Sequence, residues 1–334
     1  HIVPALRMML SSEEPKTLRV VGGVTVEEIS GKYPLVGDDY IHLSGSDSEQ
    51  LLEEAQKIIA DFTNKNKYQP KAILVDGVGL IVVGDNAKHC EYLLNEQRIT
   101  TDKDTTDSEL KYKKRAQNKT IIVTGAAQGF GEGIARNLLQ EGANIVVAVL
   151  NEEVGKSTVA QFNSIAEDNK AIFVKTNVSD IDSIKNMIRQ TIINFGAIDT
   201  FVSNAGVLRA GGLDDMTPED FDFVTKINYN AYFYCAKYVS PVMKLQTKYG
   251  AKSYFADIIQ INSKSGLRGS KANFAYAGGK FGGIGLTQSF ALELAPFRVK
   301  VNSICPGNYY EGPLWSDPEK GLFVQYLRAG KVPG

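Results

Sequence analysis

Apolar residues follow two different patterns along this chain, and the change falls near residue 119. From Thr120 onward, short apolar runs alternate with longer segments whose apolar residues recur at helical spacing. The runs predict strands at 120–124, 144–150, 171–175, 199–203, 256–262 and 299–304. The segments between them predict helices at about 131–141, 152–166, 180–195, 218–226, 229–248 and 274–295. Because this alternation is typical of a parallel sheet covered by helices on both faces, the sequence predicts an α/β fold with a doubly wound parallel sheet.

The first 96 residues have a less regular pattern. Their apolar spacing predicts two helices and two strands, at 51–62, 87–94, 72–75 and 80–83. The segment 97–118 is highly charged and nearly free of apolar clusters, which favours a linker. We therefore expect a smaller α/β domain over 1–96, a linker, and the doubly wound domain over 119–334.

Composition narrows the range of partners. The 334 residues carry a net charge of −1, so nothing draws the whole chain to nucleic acid or to an anionic membrane. The longest apolar runs are too short to cross a bilayer. Three cysteines and three histidines occur at no spacing typical of a disulfide framework or a metal site. We expect a cytoplasmic protein that acts on a small molecule and binds no metal. Because the chain begins at His1, we also expect that its ends are not shown.

A glycine-rich segment lies where the first strand of the doubly wound domain is predicted to end. It reads TGAAQGFG over 124–131, and a predicted helix follows. Gly125 allows a sharp turn, whereas Gly129 and Gly131 allow the backbone to approach a pyrophosphate and the strand to pack on the helix. The helix N-terminus offers N–H groups and a partial positive charge to the phosphates. This segment therefore predicts a dinucleotide site.

A second group of residues has the chemistry of an acid–base catalyst. Tyr276 and Lys280 are four residues apart on a predicted helix, so their side chains share one face. A free tyrosine has a pKa of about 10, and a nearby ammonium group lowers it. Ser263, at the end of a predicted strand, could hydrogen-bond to a substrate oxygen and hold it against the tyrosine hydroxyl. The three residues predict proton transfer to or from an alcohol while a hydride is exchanged with nicotinamide.

From about residue 118 to its end, the chain resembles the short-chain dehydrogenase/reductase family, whose domain has the Rossmann fold. The resemblance implies an NAD(P)-dependent oxidoreductase. It is carried by six segments in order: TGAAQGFG at 124–131, SNAG at 203–206, Asn228 in KIN, Ser263 in INSKSG, YAGGK at 276–280, and Pro306-Gly307 after the sixth strand.

The resemblance also implies roles for individual residues. Tyr276 is expected to be the general acid and base, and Lys280 to lower its pKa and contact the nicotinamide ribose. Ser263 positions the reacting carbonyl or alcohol, and Asn228 assists a water-linked proton relay. Family members commonly pack the helices near 229–248 and 274–295 between subunits, so a homodimer or homotetramer is expected. The implied cofactor-binding residues are Gly125, Gln128, Gly129, Phe130, Gly131, Asn151, Asn177, Val178, Asn204, Ala205, Gly206, Tyr276, Lys280, Pro306 and Gly307.

One departure from the family pattern concerns the choice of cofactor. NAD-dependent members commonly end the second strand with an aspartate that binds the adenosine ribose, whereas this chain has Val149. No arginine or lysine directly follows, or stands in the glycine-rich segment, to receive a 2′-phosphate. The sequence therefore favours NAD, with Asn151 as a neutral partner of the ribose, and leaves NADP as the alternative. Asn177 falls where the family commonly has an aspartate near the adenine.

The sequence around Ser263 is similar to the sorbitol-6-phosphate 2-dehydrogenase group of this family. The similar stretches are INSKSG at 261–266, GSK at 269–271 and FGGIGLTQS at 281–289. This similarity implies hydride transfer between a sugar alcohol, or its phosphate, and the corresponding ketose. The candidate contacts to a phosphate or polyol are Lys264, Arg268, Lys271 and Arg209. For each of them, the alternative is a solvated surface charge without a ligand.

The N-terminal part more faintly resembles a class II aldolase or adducin-type domain, through the stretches at 1–10 and 72–93. Active members hold zinc with histidines, and His42 and His89 alone cannot assemble such a site, so we expect a partial domain without aldolase activity. Two other functions stay open: a bifunctional aldolase–dehydrogenase and a cofactor-binding protein without turnover. The second follows from Val149 and from the C-terminus, because family members usually continue well beyond Pro-Gly and this domain is expected to be incomplete.

Overall fold

The computed structural model describes residues 2–11, 15–22, 40–45, 47–95, 114–308, 316–319 and 321–328. Most of the predicted linker, residues 97–113, therefore lies outside the described residues, as does much of the chain after residue 308. No helix within these ranges is long and apolar enough to cross a membrane.

The described elements form two sheets with helices around them. In chain order they are α1 (Ile2–Leu10), β1 (Thr17–Gly22), β2 (Tyr40–Leu43), α2 (Ser48–Asn66), β3 (Ala72–Val75), β4 (Gly79–Gly84), α3 (Ala87–Asn95), β5 (Thr120–Thr124), α4 (Gly129–Gln140), β6 (Asn144–Val149), α5 (Glu152–Ile165), β7 (Ala171–Lys175), α6 (Ile181–Phe195), β8 (Thr200–Ser203), α7 (Pro218–Thr225), α8 (Ala231–Tyr249), β9 (Ala256–Ile261), α9 (Phe274–Leu294), β10 (Val299–Ile304) and α10 (Leu322–Arg328).

The larger sheet confirms the predicted doubly wound architecture. Its six strands are all parallel and lie in the order β10-β9-β8-β5-β6-β7. Every residue of β5 and β6 is buried, which explains their continuous apolar runs. The chain runs outward in one direction from β5 to β7 and in the other from β8 to β10. Between β5 and β8 lies the switch point where such sheets bind ligands at the carboxyl ends of their strands.

One predicted helix boundary is wrong. The sequence predicted separate helices at 218–226 and 229–248, whereas a π-helical turn at Lys226–Asn230 joins α7 to α8 without a break. The turn carries Asn228, whose buried side chain bonds to the backbone of Val207 on a neighbouring loop. Because a π-turn re-aims side chains within a helix, this long-range contact gives a reason for the irregular geometry.

The smaller sheet has four strands in the order β1-β4-β3-β2, with β2 and β3 parallel and the other pairs antiparallel. The sequence predicted β3, β4, α2 and α3 but not β1 or β2, whose partners lie far along the chain. Helix α1 packs against α8, and β1 packs against α6. The N-terminal part therefore lies directly on the doubly wound domain.

A buried ion pair joins these two parts. The guanidinium of Arg7 in α1 donates to the Asp199 carboxylate at 2.8 Å, and both side chains are almost fully buried. Arg7 also donates to the backbone carbonyls of Lys16 at 2.7 Å and Asn118 at 3.0 Å. Asp199 directly precedes β8, so the contact lies at the amino ends of the parallel strands.

Candidate active site

A cavity of about 480 Å³ lies at the carboxyl ends of the parallel strands. Its volume is in the range of ordinary small-molecule and cofactor sites. The structure brings Ser263 and every predicted cofactor-binding residue together along its lining, although these residues come from segments spread over more than half of the chain. Asn228, Lys264, Arg268, Lys271 and Arg209 are not among the described residues that line it.

The glycine-rich turn has the geometry of a phosphate-binding loop. Gly125 and Gly129 have φ values of 68° and 56°, in the left-handed region that glycine adopts without strain. A Cβ on Gly131 would lie 2.3 Å from both the Asn204 amide and the Gly125 carbonyl oxygen, so no larger residue fits there. Gln128 precedes α4 without capping it by its side chain. The first turn of α4 can therefore direct backbone N–H groups and a positive dipole at a pyrophosphate.

The loop after β8 is tied to the glycine-rich turn by Thr124. The Thr124 hydroxyl accepts hydrogen bonds from the backbone N–H groups of Asn204 at 2.9 Å and Ala205 at 3.0 Å. In return, the Asn204 side-chain amide donates to the Thr124 carbonyl at 2.9 Å. Asn228 holds the far end of the loop, because it accepts from the Val207 N–H at 2.8 Å and donates to the Val207 carbonyl at 2.7 Å. The Asn228 side chain thus positions the loop. These two bonds occupy its side-chain amide, for which the family resemblance implies a role in a proton relay.

Asn262 orients the predicted catalytic serine. Its side-chain oxygen accepts from the Ser263 N–H at 2.8 Å, and its amide donates to the Lys280 carbonyl at 2.9 Å. The Ser263 hydroxyl accepts from the Ser265 N–H at 3.1 Å and is hydrogen-bonded to the Tyr276 side chain. Ser263 and Tyr276 are therefore in direct contact at the cavity.

The pKa of Tyr276 shifts against the prediction. Burial raises the pKa of the Tyr276 phenol, and the hydrogen bond from Ser263 offsets only part of that shift. Lys280 does not reverse it: its Nζ lies 5.4 Å from the centre of the Tyr276 ring and donates to the Ile261 carbonyl at 2.9 Å. The predicted lowering by a nearby ammonium is thus wrong for this arrangement, because burial exceeds the effect of the hydrogen bond from Ser263.

Lys280 is itself perturbed by the same environment. The side chain is buried, and burial lowers its pKa from 10.5 to about 8, although the nearby Cys305 opposes the shift. No carboxylate among the described residues pairs with the Lys280 ammonium, and burial brings its pKa closer to neutral pH. Such shifts are typical of groups that take part in proton transfer.

Two asparagines that line the cavity, Asn151 and Asn177, bind neighbouring backbone through their side-chain oxygens. The Asn151 side-chain oxygen accepts from the Val154 N–H at 3.1 Å and so caps α5. The Asn177 oxygen accepts from the N–H and the hydroxyl of Ser179 at 3.0 and 2.8 Å. Each asparagine thus directs its oxygen into the protein, and its NH₂ group is the part left to contact a ligand. Glu152, which follows Asn151, is paired with Lys156 at 2.7 Å.

The four predicted phosphate or polyol contacts lie outside the cavity lining. Lys264, Arg268 and Lys271 are exposed around the segment that follows β9. Arg209 faces α7, where it lies 3.7 Å from the Asp220 carboxylate and stacks over the ring of Phe223 at 5.5 Å. In this structure, the positions of these four residues therefore favour the alternative, in which they are solvated surface charges.

Sequence reasoning missed several residues of the site. Asn262 could have been found, because it lies within the INSKSG motif beside Ser263. Asn273, Leu322 and Tyr326 line the cavity but belong to no motif that the sequence analysis used. Tyr326 comes from α10, some fifty residues after Tyr276, so only the folded chain brings the two tyrosines to one cavity.

His42 and His89 of the N-terminal part each face a carboxylate. The Nε2 atom of His42 lies 2.8 Å from Asp76, and the Nδ1 atom of His89 lies 3.2 Å from Asp85. In the part of the chain that the structure describes, no three His, Cys, Asp or Glu side chains form a group suited to a metal ion.

Comparison with known proteins identifies the larger domain. The model of the short chain dehydrogenase family matches residues 119–316. Trans-4-hydroxycyclohexanecarboxylate dehydrogenase of Sinomonas cyclohexanicum is 33% identical over 198 residues, which cover 58% of this chain and 73% of that protein. Sorbitol-6-phosphate 2-dehydrogenase of Escherichia coli strain K12 is 32% identical over 209 residues, covering 63% and 77%. A 3-oxoacyl-(acyl-carrier-protein) reductase of Staphylococcus aureus is 35% identical over 190 residues, covering 57% and 74%.

Solved structures agree with the fold. A short-chain type dehydrogenase/reductase from Mycobacterium marinum superposes with a TM-score of 0.56 at 26% identity, over 64% of this chain and 79% of that one. A 3-ketoacyl-(acyl-carrier-protein) reductase from Brucella melitensis complexed with NADH superposes with a TM-score of 0.55 at 24% identity, over 60% and 79%. At 24% identity, the similarity to the Brucella reductase supports the fold alone.

Proposed function

Because this chain belongs to the short-chain dehydrogenase family and is therefore a nicotinamide-dependent oxidoreductase, we propose that it uses NAD and interconverts a sugar alcohol, or its phosphate, with the corresponding ketose. The observation that carries the catalytic part is the meeting of Ser263, Tyr276 and Lys280 at one cavity with the glycine-rich turn. The reaction then needs one proton transfer at a substrate oxygen, and these side chains are suited to it.

The residues divide the proton chemistry among them. Ser263 donates a hydrogen bond to the reacting oxygen and holds it beside the Tyr276 hydroxyl. Because burial raises the pKa of Tyr276, the phenol keeps its proton at neutral pH and can give it to a ketone oxygen as a general acid. Lys280, with its pKa lowered to about 8, has its Nζ 5.4 Å from the centre of the ring, so its charge can offset part of the burial cost of the phenolate left behind. When bound, the nicotinamide supplies or accepts the hydride.

The NAD preference is supported by the start of α5. The first turn of that helix carries Glu152 and Glu153, directly after the cavity residue Asn151. Glu152 is paired with Lys156 and Lys175, so it is the negative charge of Glu153 that favours a ribose with free hydroxyl groups over one that bears a 2′-phosphate. Steady-state assays should give a higher kcat/KM with NAD(H) than with NADP(H), and the reverse order would contradict the proposal.

The substrate proposal is supported by the similarity around Ser263 and by the relative that acts on sorbitol 6-phosphate. The test is a panel of sorbitol 6-phosphate, free sorbitol, trans-4-hydroxycyclohexanecarboxylate and a 3-oxoacyl thioester, each assayed with both nicotinamide cofactors. We expect turnover of the sugar alcohols in preference to the other two compounds. Preference for the thioester or the cyclic acid would overturn the substrate class, and equal rates with and without the phosphate would remove the phosphate site.

A charge series tests the four exposed cations separately. Replacing Lys264, Arg268, Lys271 or Arg209 with glutamine should raise KM for sorbitol 6-phosphate if that residue binds the phosphate, and should leave KM for sorbitol unchanged. Lys252→Gln is the matched control, because Lys252 is also exposed but lies before β9, at the other end of the strand.

For the N-terminal part we propose a structural role rather than aldolase activity. The proposal is supported by its packing on α8 and by the buried contact of Arg7 with Asp199. Purified protein should hold no stoichiometric zinc and should not cleave a sugar phosphate by retro-aldol reaction. Bound zinc together with such cleavage would favour the bifunctional alternative. The homo-oligomer remains a prediction, which light scattering can check.

A further inference from the structure

Two buried amide side chains, those of Gln260 and Asn262, lie side by side at the end of β9. The residues are two apart along an extended chain, so they share the face that α9 covers. Both are almost fully buried, and the Asn262 amide donates to the Gln260 side-chain oxygen at 2.9 Å. The proton-transfer scheme uses neither residue, and Gln260 is not among the described residues that line the cavity.

The backbone of Ser263 depends on this pair because the sheet ends beside it. The N–H groups of Asn262 and Lys264 donate to carbonyls on the β10 side, at 2.7 and 3.0 Å. The Ser263 N–H lies between them in the chain and so points the opposite way, toward β8, whose pairing with β9 ends at Gln260. The Asn262 side-chain oxygen accepts this N–H at 2.8 Å. A side chain therefore holds the serine backbone where a strand no longer does.

The orientation of the Asn262 amide decides whether that bond forms. Its NH₂ group donates to the Gln260 side-chain oxygen and to the Lys280 carbonyl, both at 2.9 Å. If the amide were turned over, its oxygen would face these two oxygens and its NH₂ group would face the Ser263 N–H. Because both arrangements repel, the two acceptors select the orientation that binds the serine.

Gln260 supplies one of these acceptors and is itself fixed in place. Besides the bond from Asn262, its oxygen lies 3.4 Å from the hydroxyl oxygens of Thr287 in α9 and Ser303 in β10. A Cβ on Gly283 of α9 would overlap the Gln260 amide, so the helix backbone leaves this side chain little room to turn. The close approach gives a reason for a glycine inside α9, where it lowers helix stability.

We propose that Gln260 is a positioning residue for the proton transfer and acts through Asn262 on Ser263. The Gln260 oxygen fixes the Asn262 amide, and that amide fixes the Ser263 backbone. The Ser263 hydroxyl is thereby kept in its hydrogen bond with Tyr276. The inference rests on the proposed function, in which Ser263 holds the reacting oxygen, and it adds a residue that touches neither substrate nor cofactor.

Hydrogen exchange of single backbone amides in the full chain tests this geometry without a substrate. Gln260→Met removes the acceptor and keeps an unbranched side chain, so the Ser263 N–H should exchange about tenfold faster. The N–H groups of Asn262 and Lys264 should keep their wild-type rates, because carbonyls on the β10 side bind them. An unchanged rate at Ser263, or equal acceleration at all three amides, would overturn the proposal. Gln260→Ala, which cannot clash with Gly283, gives the same test if the methionine variant does not fold.

Steady-state kinetics measure the consequence for the reaction, with whichever compound of the substrate panel is turned over. Gln260→Met should lower kcat about tenfold and leave the Kd for NADH unchanged, because a displaced serine misplaces the reacting oxygen. In a Ser263→Ala background the same change should have no further effect on kcat, since Gln260 acts through the serine. A second tenfold loss in that background would show another route and overturn the assignment.

Gln246→Met is the matched control for a merely structural role. Gln246 is also a fully buried glutamine, and its side chain bonds to the backbone of Ile198 and to the Tyr254 hydroxyl near the amino ends of the strands. This variant should lower the melting temperature at least as much as Gln260→Met does. It should leave kcat, and the exchange rate of Ser263 relative to its two neighbours, at their wild-type values. A loss of kcat in both variants would mean that lowered stability alone explains the effect.

The outcomes separate this inference from the proposed function. If Ser263 exchange and kcat respond to Gln260→Met but the compound turned over is not a sugar alcohol, the positioning role stands and the substrate class fails. If wild type and Gln260→Met oxidise sugar alcohols with equal kcat, the proposed function stands and the positioning role fails.

Discussion

The two ends of the parallel sheet each bury a positive charge and use it differently. At the amino ends, Arg7 is paired with the Asp199 carboxylate, and this carboxylate also accepts from the Tyr254 hydroxyl at 2.8 Å and from the Thr120 N–H at 2.7 Å. At the carboxyl ends, Lys280 donates to one backbone carbonyl, and no described carboxylate pairs with it. A carboxylate neutralises the first charge, whereas no carboxylate among the described residues neutralises the second.

This difference fits a structural role for the amino end and the proposed chemistry for the carboxyl end. Removing one member of a satisfied buried pair leaves a lone charge in the interior, so a substitution in the Arg7 network should lower the stability of the fold. An uncompensated ammonium instead has its pKa lowered, to about 8 for Lys280, and can respond when a proton moves nearby. The N-terminal part supplies Arg7, so it contributes to the stable end of the sheet and not to the reactive one.

The largest effect is expected from the reactive end. Tyr276→Phe removes the acid–base hydroxyl, so kcat/KM should fall by about 10²- to 10⁴-fold while cofactor affinity and melting temperature stay close to wild type. Tyr254→Phe is the matched control at the amino end, since it removes a hydroxyl bonded to Asp199. That variant should lose about 1–3 kcal/mol of unfolding free energy and little activity. Activity that persists in Tyr276→Phe would refute the assignment.

At the stable end, Arg7→Met should lower the free energy of unfolding by about 3–5 kcal/mol, because it leaves the Asp199 carboxylate buried and unpaired. The kcat/KM of the folded fraction should change little. Denaturant titration measures the loss, and adding Asp199→Asn should recover part of it. Arg115→Met is the control, since Arg115 is 81% exposed in its pair with Glu141 and should contribute less than about 1 kcal/mol. Equal losses in the two variants would remove the contrast between buried and exposed pairs.

At Lys280, we expect an effect on the free energy of unfolding that is smaller than that of Arg7→Met and opposite in sign. Folding lowers the pKa of this group from 10.5 to about 8, so the charged form is disfavoured in the native state, by about 3 kcal/mol below pH 8. That cost fades as the pH rises from 8 to 10.5. Lys280→Met should therefore raise the free energy of unfolding at pH 7. The loss of the hydrogen bond to the Ile261 carbonyl reduces this gain in stability, and at high pH the gain should vanish. Activity should fall in this variant, whereas Lys237→Met, at an exposed position of α8, should change neither quantity. A loss of stability at pH 7 would mean that burial of the ammonium is compensated.

The smallest signal concerns the ionisation of Tyr276 itself. Because burial raises its pKa above 10, less than about one-tenth of the phenol should be ionised at pH 9 in cofactor-free protein. Subtracting the phenolate absorbance of Tyr276→Phe from that of wild type isolates this group from the other tyrosines. A difference signal that develops below pH 8 would mean that Lys280 lowers the pKa after all, as the sequence alone suggested.

The sequence was sufficient wherever the decisive information is local. The six strands of the large sheet were predicted to within one residue at each end, because each contains a short group of apolar residues, although β9 and β10 carry polar residues such as Asp257 and Asn302 among them. The glycine-rich turn was recognised because Gly125, Gly129 and Gly131 stand at a strand-to-helix junction. The three residues Ser263, Tyr276 and Lys280 were found through their spacing, and the structure brings them to one cavity.

The sequence was insufficient wherever burial, or a partner far along the chain, determines the local structure or the pKa of a side chain. The π-turn at Lys226–Asn230 depends on the contact of Asn228 with Val207, and local propensity does not contain that contact. Strands β1 and β2 were missed because each is short and pairs with a strand far along the chain. The candidate phosphate contacts were chosen by charge and sequence proximity to Ser263, and neither quantity says which way a side chain faces.

By itself, then, the sequence determined the parallel α/β architecture, the dinucleotide turn and the residue types of the catalytic group, because periodicity and motif spacing are properties of neighbouring residues. Only the tertiary structure decided the pKa directions of Tyr276 and Lys280, the position of Tyr326 at the cavity, and the pairing of Arg7 with a carboxylate 192 residues away. Each of these depends on how much water and which partner a side chain meets, and that is set by contacts between segments far apart in the chain.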